Sequence, residues 1–174
     1  GMGLPTTATY VIMATTCAPI LVTGMNVNVL AAHMFVFYFG IVADITPPVA
    51  LAAYAGSAIA RSNPMKTGFT ASKLAIAAFI VPYIFVLNPT LLLIDASILD
   101  VVIISITAFL GIISVSIGVA GYLFTDLSWP IRIIAIVMGI AMLYPGAMTD
   151  VVGIVSFGLI CVYQKHKQKK VAIA

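Results

Sequence analysis

The residues with most chemical potential lie together at Ala43-Asp44-Ile45-Thr46-Pro47-Pro48-Val49, midway along an apolar stretch that runs from Leu30 to Ala60. Proline has no amide donor and turns the preceding residue away from the helical region, so two adjacent prolines break a helix instead of bending it. A break deep in an apolar stretch frees carbonyls and amides that hydrocarbon cannot satisfy, and such breaks survive where they are buried in protein or line a cavity. Freed carbonyls and the Thr46 hydroxyl are hard oxygen ligands suited to a cation, while half-helix N-termini suit anions. Asp44 is an ionisable residue at membrane depth, which marks ion or substrate pathways. The plainer alternative is a kink with Asp44 near an aqueous edge. A second candidate is Gly1 to Tyr10, where Gly1, Gly3, Pro5 and the pair Thr6-Thr7 precede a short apolar helix. Amides and hydroxyls at such a hairpin tip can face an ion or substrate; an interfacial loop is the competing reading. A pair of interrupted segments is the strongest sequence pointer to a transporter site.

The other polar residues read as structural. His33 stands alone in an apolar helix with no acidic neighbour in sequence, which points to hydrogen bonding inside a bundle. Phe35, Phe37, Tyr38 and Phe39 are expected to pack against helices and lipid. Cys17 and Cys161 are isolated and have no zinc or redox spacing, so they are expected to be small buried hydrophobes. No Ser-His-Asp set, phosphate loop, CxxC or HExxH occurs, and an enzyme finds no support.

The elements that must position the candidates are membrane helices. Of the 174 residues 63% are hydrophobic and 7% charged, and mean hydropathy is +1.21. A soluble domain carries about 25% charged residues, so this chain needs lipid as solvent. Each crossing takes about 20 residues. Thr9 to Val22 reads as a half-helix, too short to cross, as in one arm of a re-entrant hairpin. Leu30 to Ala60 divides into pieces over about 30–42 and 49–60. Arg61 to Lys73 reads as a polar loop. Ala75 to Ile94 is a span interrupted by Pro82 and Asn88-Pro89, and Val101 to Phe124 is an uninterrupted one. Tyr144-Pro145-Gly146 cuts Ile131 to Tyr163 into a short helical hairpin with arms of 13 and 17 residues. The expected fold is thus an all-α integral membrane bundle, polytopic, with a re-entrant hairpin and a broken Thr-Pro-Pro helix.

Charge gives orientation. Arg61, Lys66 and Lys73 place the 61–73 segment in the cytoplasm, Asp95 and Asp100 place the next connector outside, and Lys165, Lys167, Lys169 and Lys170 place the C-terminal tail inside. Four lysines directly after an apolar segment fit flanking charge at a lipid surface better than nucleic-acid binding. The opening Gly1-Met2-Gly3 has no charged n-region or cleavage site and is expected to belong to a fragment of a longer protein.

At these residues the chain resembles the large permease component of tripartite ATP-independent periplasmic (TRAP) transporters, and most closely the fused permeases that work with TAXI-class binding proteins. The strings that carry the resemblance are Gly1-Met2-Gly3-Leu4-Pro5-Thr6-Thr7-Ala8-Thr9-Tyr10, His33-Met34-Phe35-Val36-Phe37-Tyr38-Phe39-Gly40, Asp44-Ile45-Thr46-Pro47-Pro48-Val49-Ala50-Leu51-Ala52-Ala53-Tyr54, Asn63-Pro64-Met65-Lys66-Thr67-Gly68, and Phe79-Ile80-Val81-Pro82 with Asn88-Pro89. They cover about residues 1–94, with weaker continuation at Leu127-Ser128-Trp129-Pro130, Tyr144-Pro145-Gly146 and Thr149-Asp150.

The resemblance implies the second inverted repeat of an elevator-type transporter, a C-terminal part of the permease that requires an N-terminal remainder. Residues 1–94 would complete the transport domain, and residues 95–174 would be C-terminal helices with a basic tail. It further implies uptake of organic acids across the cell inner membrane, coupled to Na⁺ and fed by an extracytoplasmic TAXI-type solute-binding protein. No cofactor is implied beyond Na⁺ as coupling ion. The sodium ligands it implies are Ala43, Thr46 and Val49, with Gly1 and Gly3 from the hairpin tip; Thr6, Thr7, Asp44, Pro47 and Pro48 would border the substrate cavity. Many relatives carry Gly where this chain has Ala43, a change that leaves a carbonyl ligand intact. The fragment alone is not expected to transport. Proton coupling through Asp44, a channel and a non-transporting membrane scaffold are the alternatives.

Overall fold

The computed structural model describes residues 4–173, with side chains through Gln168. Contacts divide the chain into two compact units, Gly1–Leu92 and Leu93–Ala174. Among the described residues three helices are long and apolar enough to cross a membrane, or four if one bent pair counts as a single span. The expected all-helical, polytopic membrane architecture is what the chain forms.

The first unit begins with α1 (Thr6–Pro19), which continues through a π-helical turn at Ile20–Gly24. The combined 19 residues are long enough to cross a membrane, so the half-helix expected from sequence is corrected. Two things lengthen it. Thr6 to Ala8 belong to the helix and not to its entry, and past Pro19 a π turn carries it through Thr23 and Gly24. Proline removes one i→i−4 bond and crowds the carbonyl four residues back. Here the wider π turn follows Pro19 directly, and the Thr23 hydroxyl donates to the Pro19 carbonyl at 2.7 Å.

Asn28 then caps α2 (Val29–Val42), its side-chain oxygen accepting from the Leu30 amide at 2.9 Å. Helices α1 and α2 form an antiparallel hairpin. Gly40 lies against Thr9 and Tyr10, and the Tyr10 hydroxyl meets His33 Nδ1 at 3.0 Å, the interior hydrogen bond expected of that histidine. The aromatics of α2 pack edge-on against α5 (Ile76–Leu87): Phe35 against Tyr83 with centroids 5.2 Å apart, and Tyr38 against Phe85 at 5.7 Å. That is the packing role expected of them.

After the break come α3 (Leu51–Ile59) and α4 (Pro64–Leu74). The polar loop expected at Arg61–Lys73 is therefore mostly helix. Asn63 is its N-cap, accepting from the Lys66 amide at 3.0 Å, and Pro64 occupies the first helical position, where a missing N–H does no harm. Helix α4 meets α5 at a 40° bend about Ala75. Pro82 sits inside α5 without ending it.

In the second unit, α6 (Ile98–Ala120) starts at Ser97, which accepts from the Asp100 amide while its hydroxyl donates to the Asp100 carboxylate at 2.8 Å. It ends on Gly121 with φ +76°, the left-handed cap that glycine adopts most easily. Helix α7 (Trp129–Ala141) runs back along α6 with backbones in contact: a Cβ on Gly139 would lie 2.7 Å from the Gly111 carbonyl oxygen, and one on Gly118 would lie 2.8 Å from the Arg132 carbonyl oxygen. Ser114 donates to the Ala135 carbonyl at 2.8 Å across this seam. Small residues bring membrane helices this close.

Arg132 reaches the end of α6, donating to the carbonyls of Gly118 at 3.0 Å and Val119 at 3.1 Å. The last helix, α8 (Ala147–Ile173), follows the Tyr144-Pro145-Gly146 turn. The expected hairpin forms, but its second arm is longer than the expected 17 residues, because the lysine tail continues the helix. Cys17 is exposed and Cys161 half-buried, so neither is the buried hydrophobe expected. In lipid an exposed thiol is still in apolar surroundings, which is why hydropathy alone could not separate the two.

Candidate functional site

The break at Thr46–Ala50 follows from which carbonyls lose their donors. In a continuous helix the Ala43 and Asp44 carbonyls would accept from the amides of residues 47 and 48, and both of those are prolines. The Ala43 carbonyl turns instead to the Thr46 amide at 3.3 Å, in a short 3₁₀ turn over Ala43–Ile45. Thr46 then extends, with φ −106° and ψ 120°. Its hydroxyl donates to the Val42 carbonyl at 2.7 Å, which leaves the oxygen lone pairs available as acceptors. Its own carbonyl accepts from the Ala50 amide at 3.0 Å. The Pro47–Pro48 bond is cis.

Ala50 closes the break in a left-handed conformation, φ +39°, while fully buried. For a residue with a Cβ this conformation costs about 1–2 kcal/mol. Such strain persists only where the surroundings over-determine it, and it concentrates at functional sites. The surroundings here come from α3 and α4. Tyr54 donates its hydroxyl to the Pro48 carbonyl at 3.0 Å, and Ser72 donates to the Ile45 carbonyl at 3.0 Å. Gly68 is buried against the break: a Cβ there would lie 2.9 Å from Pro47 Cγ and 3.5 Å from Ala50 Cβ. Two loop carbonyls are thus met by side chains, one on each side of the prolines, and α4 can lie against the ring of Pro47 because Gly68 has no side chain.

The two candidate features share one end of the α1–α2 hairpin. Gly40 packs on Thr9 and Tyr10. One turn further toward that end, α1 begins at Thr6-Thr7 and α2 gives way to Ala43 and Asp44. Pro5 caps α1 without any side-chain hydrogen bond, so the first-turn amides are served by no side chain of the cap. Thr6, Asp44, Thr46, Pro47 and Val49 are half-buried, and Thr7 and Pro48 are exposed. Gly1 and Gly3, expected at the tip, lie outside the described residues.

Tyr54, Gly68 and Ser72 are the residues that sequence reasoning missed. Gly68 and Ser72 fell in the segment read as a loop. The Asn63-Pro64 pair, a capping residue followed by a first-turn proline, was the signal that would have placed them on a helix.

The family model of the DctM component of the tripartite ATP-independent periplasmic transporters matches residues 1–99. No curated protein and no solved structure matches the chain. The matched stretch takes in all of the described first unit, with the Thr46-Pro47-Pro48 break at its centre, and more than half of the 174 residues. The chain therefore belongs to the DctM family, the large permease component of TRAP transporters.

Proposed function

We propose that this TRAP permease chain takes part in the import of organic acids with Na⁺, and that the Thr46 break and the Thr6-Thr7 end of α1 close around ion and substrate. The observation that carries this reading is the loss of helical partners at the Ala43 and Asp44 carbonyls to two prolines, which leaves Ala43 only a 3.3 Å bond from the Thr46 amide, at the end of the hairpin where α1 presents its first-turn amides. Carbonyl and hydroxyl oxygens suit a hard cation, and helix N-terminal amides suit a carboxylate. Ala43, Thr46 and Val49, with Gly1 and Gly3, are the proposed Na⁺ ligands. Thr6, Thr7, Asp44, Pro47 and Pro48 would border the substrate.

TRAP large components work with a solute-binding protein and a small membrane component. The finer reading is a fused permease with an N-terminal remainder and a TAXI-type extracytoplasmic partner, and it rests on the resemblance of the quoted motifs. The proposed setting is the inner membrane with the basic end of α8 in the cytoplasm, supported by Arg61, Lys66 and Lys73 at the other basic segment. In that arrangement α7, 13 residues and so about 20 Å long, turns within the membrane at Tyr144–Gly146, and α8 returns the chain.

The test is Thr46→Ala in the full permease, with uptake measured in proteoliposomes against a Na⁺ series. The half-saturating Na⁺ concentration should rise about 5- to 10-fold, the loss of roughly one ligand-strength contact. An unchanged Na⁺ dependence would sink the assignment of Thr46. Uptake driven equally by a proton gradient without Na⁺ would favour Asp44 and proton coupling.

A further inference from the structure

A groove runs between α7 and α8, lined by Ile131, Ile134, Ser156, Leu159, Ile160 and Tyr163. Its size, about 320 Å³, is at the small end of ligand sites, enough for a length of acyl chain. Ser156, Leu159, Ile160 and Tyr163 form one face of α8, spaced three and four apart. The next turn of that face holds His166 and Lys167. Trp129 and Tyr163 are exposed at this end, as aromatic residues at a membrane–water boundary are. Lys167 already donates to the Asp126 carbonyl at 2.9 Å, and its ammonium retains two further donors.

We propose that this groove holds an anionic phospholipid, with one acyl chain along the Ile134–Leu159 face and the phosphate at His166 and Lys167. Complementarity to such a lipid runs in order along this end of the two helices: apolar lining, then interfacial aromatics, then bases. A soluble anion would use the bases and leave the groove bare, and a neutral lipid would fill the groove and leave the bases unmatched.

Native mass spectrometry of the purified permease, given equal phosphatidylglycerol and phosphatidylcholine, tests this. Retention of phosphatidylglycerol should exceed that of phosphatidylcholine about 5-fold, as expected from Lys167, with His166, beside an anionic headgroup. Leu159→Trp should fill the groove and abolish retention of both lipids. The double change His166→Gln and Lys167→Gln should bring the two lipids to equal retention. Leu159 is 66% exposed and Val162 69% exposed, so tryptophan at either position is compatible with folding. Val162→Trp, on the same helix but outside the groove, should retain lipid like the parent. The proposal is overturned by equal retention of the two lipids in the parent, by unchanged retention in Leu159→Trp, or by equal loss in Val162→Trp. Displacement of the lipid by millimolar inorganic phosphate would also overturn it, because that identifies a site for small anions.

Discussion

In the unit Gly1–Leu92, helices are interrupted and the backbone around the interruption is held by side chains: Thr46 on Val42, Ser72 on Ile45, Tyr54 on Pro48. In the unit Leu93–Ala174, α6 runs unbroken for 23 residues and α7 lies against it through Gly111, Gly118 and Gly139, with Arg132 closing the carbonyls at its end. Both arrangements answer the same requirement, that lipid leaves no backbone polar group to water. The first answers it with a strained loop clamped from outside, and the second with regular helices brought into close contact. The family match follows this division, covering the first unit and ending within the first turns of α6. Substitutions should accordingly act on transport in the first unit and on stability in the second.

The largest effect is expected at Gly139→Leu. A side chain there would meet the Gly111 carbonyl at 2.7 Å and the Val115 amide at 2.9 Å, both backbone atoms that cannot swing aside. Overpacking of this kind costs about 1–3 kcal/mol or more. A thermal-shift measurement in detergent should show lowered stability, while the protein that remains folded keeps its Na⁺ dependence. A selective loss of Na⁺ dependence with stability intact would break the proposed division of roles.

A smaller effect is expected at the clamps. Ser72→Ala and Tyr54→Phe each remove one hydrogen bond to the break, worth about 0.6–1.7 kcal/mol in a membrane protein. Transport with a raised Na⁺ requirement and nearly unchanged melting is the expected outcome. If both variants transport like the parent, the clamps do not position the break. The smallest effect is expected at Gly56→Ala in α3, where an added Cβ meets nothing within 4 Å. Alanine is the better helix former by about 1 kcal/mol, so a slight gain in stability with unchanged uptake is expected. A loss of uptake there would mean that α3 must flex for transport.

Much of the fold was legible because hydropathy and proline act locally. The end of α2 at Val42, the break at the prolines and the turn before α8 each follow from a residue that cannot donate or cannot stay helical. The errors share a cause as well. Pro82, read as an interruption, carries the same chemistry as Pro47 and Pro48, yet its helix continues as that of Pro19 does, since a single missing bond can be absorbed while two adjacent ones cannot. The segment Pro64–Leu74 looked like a loop because it is polar, and polarity in a membrane chain marks the interface and not the absence of a helix.

The sequence by itself determined that this chain lives in lipid, that its interruptions and not its apolar runs carry chemical potential, and where the main interruption falls, because composition and missing amide donors are properties of the residues alone. Tertiary structure decided what holds that interruption: which hydroxyl reaches which carbonyl, that α4 needs a glycine to approach Pro47, and that the start of α1 and the end of α2 share one end of a hairpin. Those depend on distances between residues far apart in the chain, such as Ile45 and Ser72, and no local pattern in the sequence encodes them.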